Sequence, residues 1–381
     1  MDGGETMPLY LTDEQVMLRD AARDFVTDTA PVSHRRALRD ADDTTGFSRD
    51  LWRRFAKMGF TGILIGADHG GLGLGHVEAG IVLEEIGRNL SPSPFLTTAV
   101  AAATALAGSA QGDRWFPGIV AGETVAAIAI DETAKHRDRI AMAAVRSGNG
   151  FRLSGEKCFV VHGHVADLLI VAARTAGGPE DRDGVTLFAV PVDAEGLSAT
   201  AERLADGGLA ARLRFDGVTV DADAVIGSVD GGRDLLNRIL RAGRTGSAAE
   251  LIGVGDGAAT MTLGYLKDRK QFGVPIGSYQ ALQHRAAHLY AEMEVARAAV
   301  LHAQHSLDAG SAEADEAVSV AKAMATMATT LSVNEAIQMH GGIGMTDDYD
   351  IGFFMKRARV LAEWWGDANF HADRLAVTAG Y

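Results

Sequence analysis

Apolar positions along the first 120 residues recur mostly at helical spacing. Leu18, Ala21, Ala22, Phe25 and Val26 make one face of a helix over residues 12–26. Thr12 and Gln15 stand at capping-box spacing in front of it, so that each side chain can satisfy an orphan amide of the first turn. The pattern predicts further helices over 48–58 (stopped by Gly59), 76–88 and 95–107, with a glycine-dense loop at 66–75 and a breaker, Asn89-Leu-Ser-Pro-Ser-Pro94, between them. From residue 123 the period changes. Short β-prone runs at 125–130, 142–146, 151–153, 158–161, 168–173, 185–192 and 211–220 alternate with Gly, Asp and Pro, and Ser147-Gly-Asn-Gly150 reads as a turn. No helical period separates these runs, which predicts an antiparallel barrel or sandwich. Residues 174–184 are polar and Gly-rich and predict a mobile loop. Helical periodicity returns after Gly232: Leu282, Ala286, Leu289, Met293, Ala296 and Val300 form one stripe, and Ala317, Ala321, Met324, Ala328 and Leu331 another. Two such stripes predict a bundle whose surplus apolar face can pack on another subunit. The expected fold is α+β and multidomain: an N-terminal α-helical domain over 1–122, a middle β domain over 123–230 and a C-terminal α-helical bundle over 231–381.

Composition narrows the function. A 47% apolar, 23% charged chain is globular, and a net charge of −14 argues against a general nucleic-acid or anionic-membrane surface. One small basic site for a phosphate-bearing ligand is still compatible with it. Cys158 is the single cysteine, which rules out an intramolecular disulfide and a cysteine-based metal site. Met1-Asp-Gly-Gly-Glu-Thr-Met7 lacks a basic region followed by an apolar core, and no run of about 20 apolar residues occurs, so neither a signal peptide nor a spanning helix is expected and the chain reads as cytoplasmic.

Several chemistries drop out. The glycines at 70–75 have the wrong spacing and surroundings for a dinucleotide fingerprint. His284, His288 and Glu292 share one helix face but lack a further strong ligand beside them, so no metal is expected. There is no Gly-x-Ser-x-Gly elbow and no P-loop. Two clusters persist. Asp268-Arg-Lys-Gln-Phe-Gly273 is basic and aromatic; it reads either as a helix C-cap or as a phosphate contact built on a planar guanidinium. Gln338-Met-His-Gly-Gly-Ile-Gly344 reads either as a helix stop or as backbone laid open to a ligand.

Taken together, Leu11-Thr-Asp-Glu-Gln15, Gly70-Gly-Leu-Gly-Leu74, Leu153-Ser-Gly-Glu-Lys157, Phe215-Asp-Gly-Val-Thr-Val220, Arg269-Lys-Gln-Phe-Gly273 and Gln338 to Gly344 make the whole chain resemble the acyl-CoA dehydrogenase family. The resemblance implies a helical domain, a β domain and a four-helix C-terminal bundle, assembled as tetramers. It implies FAD as cofactor and an acyl-CoA as substrate, oxidised at Cα–Cβ while a glutamate takes the α-proton. It implies, too, that each FAD crosses a dimer interface, with Arg269, Gln271, Phe272, Gln338, Gly341 and Gly342 reaching the neighbour's adenosine and pyrophosphate, and with Phe159 and Asn369 as further cofactor contacts.

The departures from that pattern are informative. The family's base lies in a Tyr-Glu-Gly-Thr segment; the run here is Glu363-Trp-Trp-Gly-Asp367, and Trp365 stands in the glutamate's place. An indole has no basic lone pair. Some members carry the base just before an arginine of the first C-terminal helix; that arginine resembles Arg244, and Gly243 precedes it. Asp367 and Glu363 are the acids flanking Trp365 and become the candidate bases, beside Arg244. In the β domain, a family segment Thr-Glu-Pro-Gly-Ala-Gly-Ser-Asp is replaced by Ile130-Asp-Glu-Thr-Ala-Lys135, and Trp-Ile-Thr by Phe159-Val-Val161. Groups offered to a neighbour's FAD are kept, and groups for the chain's own flavin ring are lost. The asymmetry points to a subunit of an α2β2 heterotetramer with a homologous partner, of the kind acting on fatty acyl or steroid side-chain substrates. A self-sufficient homotetramer, a non-catalytic structural subunit and a flavin-dependent monooxygenase on the same fold are the alternatives.

Overall fold

The structure is a computed structural model and describes residues 9–381. The leader reading rests on residues 1–7 and lies outside the described residues. Helices α1 (Asp13–Thr29), α2 (Val32–Asp40), α3 (Arg49–Lys57) and α4 (His76–Arg88) lead to a π-helical stretch, Phe95–Ala102, which continues as α5 (Ala103–Leu106) and is followed by α6 (Ala110–Val120). Eight strands follow: β1 (Ala126–Ala129), β2 (Ala143–Ser147), β3 (Gly150–Val161), β4 (Leu168–Arg174), β5 (Val185–Pro191), β6 (Leu197–Arg203), β7 (Leu209–Val220) and β8 (Val225–Ile226). The chain ends in helices: α7 (Arg233–Asp268), the short strands β9 (Lys270–Gln271) and β10 (Val274–Pro275), then α8 (Gln280–Asp308), α9 (Ala314–His340), α10 (Ile351–Glu363) and α11 (Ala368–Thr378). This is the order that the resemblance implies: helices, then sheet, then helical bundle. By contact density it gathers into two compact units.

The helical unit contains the stretch ending at Arg36, His76–Ser91 and Arg244–Tyr381. The capping box of α1 forms, with Thr12 Oγ1 accepting from the Gln15 amide and Gln15 Oε1 from the Thr12 amide. α4 and α7 cross with their backbones almost touching: a Cβ on Gly87 would meet the Glu250 carbonyl at 2.2 Å, and one on Gly253 the Glu84 carbonyl at 1.9 Å. Thr329 and Ser332 of α9 donate their hydroxyls to the carbonyls of Leu251 and Gly255 on α7, so small polar residues lock a close helix pair. Arg297 of α8 reaches Glu84 of α4 and Asp256 of α7, neutralising two carboxylates that this crossing half-buries.

The β unit contains Ala37–Gly75 and Pro92–Gly243. Its sheet has the order β6-β7-β3-β2-β4-β5-β8, with β1 pairing β4. Most pairs are antiparallel, as the runs predict; β1 runs parallel to β4, in register Ala126 opposite Leu168. Phe151, Leu153, Val160, Val171, Phe188, Leu213 and Phe215 fill the core. The runs 151–153 and 158–161 are two ends of one strand, β3, interrupted by irregular registers at Leu153/Ser154 and Lys157/Val160. β6 escapes the pattern because Ser198, Ala199, Thr200 and Ala201 are all exposed and carry no apolar alternation. Residues 174–184 differ from the expected mobile loop: they wrap the buried guanidinium of Arg174, which donates to the carbonyls of Ile140, Ala176, Pro179, Asp181 and Asp183. No helix among the described residues is long and apolar enough to cross a membrane.

Candidate functional site

The corner between α10 and α11 holds most of the residues proposed for proton transfer. Trp365 is 2% exposed and adopts φ +57°, uncommon for a residue with a Cβ. Gly366 follows at φ +111°, where a Cβ would strike the Phe370 ring at 2.4 Å. The indoles of Trp364 and Trp365 stack at 4.5 Å between centroids. Arg244, buried on α7, donates Nε to the Trp365 carbonyl at 3.0 Å, and its guanidinium lies over Phe370. Asp367 is the N-cap of α11, its Oδ1 accepting from the Phe370 amide at 2.8 Å. Glu363 is the last residue of α10, half-buried, and Asn369 is exposed in the first turn of α11. The structure therefore gathers Arg244, Glu363, Trp365, Asp367 and Asn369 at one corner, with a wall of indole at the position that resembles the family's base.

In the β unit, the segment after β1 satisfies itself. Asp131 Oδ1 lies 2.7 Å from His136 Nδ1, both side chains buried. The Glu132 carboxylate accepts from the amides of Ala141 and Met142 and from Lys157 Nζ at 2.7 Å. Burial works against the Glu132 charge, but the Lys157 ammonium and those two amides outweigh it and hold the carboxyl below its usual range. Lys157 is fully buried and also donates to the Ile130 carbonyl, and Cys158 donates Sγ to the Thr133 carbonyl. Phe159 sits where the β3 register slips, at φ +53° and half-buried. Such a bulge re-aims a side chain out of the pleat. The Asp131–His136 and Glu132–Lys157 pairs were not legible from the chain, because nothing in their spacing announces them.

The two glycine-bearing clusters come together in the helical unit. β9 and β10 form a hairpin pairing Gln271 with Val274, and its turn residues Phe272 and Gly273 both have positive φ, which is a type I′ turn. Arg269 and Gln271 are exposed, and Phe272 is 91% exposed. The α9 helix stops at Gly341, φ +67°, and becomes a 3₁₀ turn over Gly341–Met345. Tyr265, one turn before Arg269, stacks on His340 at 4.5 Å, and this contact sets the base of the hairpin beside the start of the glycine turn. Nothing lies within 4 Å of a Cβ built on Gly341 or Gly342, and Gln338 is exposed. The left-handed φ of Gly341 accounts for that glycine as the helix stop, and the open space above both leaves their backbone accessible.

The histidine stripe on α8 makes only a His288–Glu292 contact of 3.4 Å, and among the described residues no group of three or more His, Cys, Asp or Glu could hold a metal ion.

Models of the acyl-CoA dehydrogenase family match the chain in succession: the N-terminal domain over residues 12–123, the middle domain over 129–218 and the C-terminal domain over 230–379. The chain is 31% identical to cyclohex-1-ene-1-carbonyl-CoA dehydrogenase of Geobacter metallireducens, over 94% of this chain and 95% of that one. Among solved structures it is similar to a variant of the Tcur3481-Tcur3483 steroid ACAD (TM-score 0.86, 32% identity, 97% of this chain and 98% of that one). It is also similar to the ChsE4-ChsE5 complex of Mycobacterium tuberculosis (TM-score 0.89, 27% identity, 98% and 100%). The chain belongs to the acyl-CoA dehydrogenase family, whose members are oxidoreductases acting on CH–CH groups of acyl-CoA thioesters.

Proposed function

We propose that this chain is one subunit of an α2β2 acyl-CoA dehydrogenase and that it completes the FAD site of a homologous partner. One observation carries the reading: polar groups resembling those given to a neighbour's FAD are exposed, while Asp131 and Glu132, which stand where the family contacts its own flavin, are engaged by His136 and Lys157. The domains are 1–122, 123–230 and 231–381, a division supported by the ranges of the family models.

On the adenosine and pyrophosphate side the residues fit. Arg269 offers a planar donor to a phosphate oxygen, Gln271 and Gln338 offer amides, Phe272 offers an aromatic face, and the backbone at Gly341 and Gly342 can be approached closely. On the flavin-ring side they do not. Asp131 and Glu132 are engaged by His136 and Lys157, and neither Trp365 nor Gly243 can take an α-proton. Bound at the mixed site, FAD would supply the hydride acceptor for oxidation at Cβ. This chain's residues hold its adenosine end, and the proton acceptor comes from the partner. The likeness to a steroid ACAD and to a two-protein complex supports a steroid side-chain acyl-CoA as substrate, and a cytoplasmic place of work fits CoA chemistry.

The test is the FAD content of the chain expressed alone and with a homologous partner. The expected result is a colourless lone chain and a yellow mixed tetramer with about one FAD for each pair of chains. A lone chain saturated with FAD and reduced by an acyl-CoA would overturn the proposal and move the search to Asp367 and Glu363 as its bases.

A further inference from the structure

The α10–α11 corner carries a second cation besides Arg244. Lys322 lies on α9, is 0% exposed, and reaches the C-terminal end of α10, where Nζ donates to the carbonyls of Leu361 at 2.5 Å and Ala362 at 3.3 Å. These are two of the final carbonyls that a helix leaves without intrahelical donors, at the end where the helix dipole favours a positive charge. Arg244 holds the Trp365 carbonyl from α7. The stretch 361–365 is thus held at both ends by buried cations from two different helices, at the carbonyls of Leu361 and Ala362 and at that of the strained Trp365, and Gly366 at φ +111° follows directly. Backbone conformations of this kind persist only where the surroundings over-determine them.

We propose that Lys322 is a positioning residue, which with Arg244 fixes the Trp365 wall and takes the half-buried Glu363 and Asp367 as counter-charges. Two buried cations need nearby anions, since an uncompensated buried charge is strongly unfavourable. Glu363 and Asp367 are the acids whose field favours the Lys322 charge, opposing its burial and the repulsion of Arg244. The proposal assigns both carboxylates an electrostatic task and does not depend on where FAD binds.

The stacked indoles report on the corner directly, because close parallel indoles give an exciton couplet in circular dichroism. The couplet is isolated by subtracting the spectrum of the Trp364→Phe variant in each background. In Lys322→Met the expected result is loss of at least half the couplet with helical content and oligomeric state unchanged. An unchanged couplet in a folded Lys322→Met chain would overturn the proposal. Where that variant does not fold, Lys322→Ala co-purified with propylammonium, which matches the deleted atoms, serves instead. Recovery of the couplet with propylammonium and not with propanol supports the proposal; recovery with both, or with neither, overturns it.

Discussion

The outward arm and the segment after β1 both carry several polar side chains and dispose of them in opposite ways. In the arm, Arg269, Gln271 and Gln338 face solvent, Phe272 stands almost bare at the tip of a tight hairpin, and two glycines have nothing above them. After β1, the buried Asp131, His136 and Lys157 and the half-buried Glu132 find each other. A buried polar group must be paired, so a closed segment of this kind is stable only where its side chains supply partners internally. An exposed arm has no such requirement and keeps its donors ready. The contrast separates a surface shaped for something outside the chain from one closed upon itself.

The sharpest way to break the contrast is to reopen the closed segment. Lys157→Met removes the buried partner of an ion pair whose Glu132 is half-buried, and strips a donor from the Ile130 carbonyl. Removing one side of such a pair costs about 3–5 kcal/mol. Denaturant unfolding of the variant chain checks this, and a loss under about 1 kcal/mol would mean that the pair does not hold the segment. The paired variant Lys157→Met with Glu132→Gln recovers part of the loss, because it leaves no lone charge behind.

The arm gives the opposite signature. Arg269→Ala leaves the stability of the chain within about 0.5 kcal/mol, as for an exposed side chain outside the core. In the mixed tetramer it removes a charge-assisted contact of about 1.5–3 kcal/mol, which is roughly a tenfold to hundredfold rise in the Kd for FAD. Titration of the apo complex with FAD measures it. An unchanged Kd would detach the arm from the cofactor.

How far the chain could be read follows the same division. The stripes on α8 and α9 and the β-prone runs were legible because burial on one face leaves a period. The arm was legible as a place where helices end, because its glycines break the helical period, while its contact with a phosphate rests on the resemblance. β6 was not, since an edge strand exposed on both faces owes nothing to alternation. The two buried pairs of the β unit were not, because residues 25 apart, such as Glu132 and Lys157, meet only through the fold. Lys322 gave one faint signal, a lone lysine inside an alanine-rich stretch, Ala321-Lys-Ala-Met-Ala325, that reads most simply as a solvated position.

That lysine makes the corner sensitive to pH. Burial, reinforced by Arg244, lowers its pKa to about 7, against Glu363 and Asp367 pulling the other way. Between pH 7 and the ordinary lysine value near 10.5 the unfolded chain binds the extra proton and the folded chain does not. Folding stability contributed by this group therefore rises with pH across that window, by up to about 1.4 kcal/mol per pH unit, and falls as pH drops toward 7. Unfolding free energies of wild type and Lys322→Met across the window measure it, and the expected slope is shallower in the variant.

The smallest effect tests Asp367 at the corner. Its Oδ1 caps α11, so Asp367→Ala removes an N-cap and costs about 1 kcal/mol. Asparagine caps about as well, so Asp367→Asn keeps the bond to the Phe370 amide and is expected within about 0.5 kcal/mol of wild type, less any share due to the lost counter-charge beside Lys322. A base behaves otherwise. Neither Ala nor Asn can take a proton, so both would abolish turnover alike while differing in stability. In the mixed tetramer, turnover within twofold of wild type for Asp367→Asn, with a stability loss confined mainly to Asp367→Ala, makes Asp367 a cap and counter-charge. Equal loss of turnover in both, at preserved FAD content, would return the α-proton to this side of the interface.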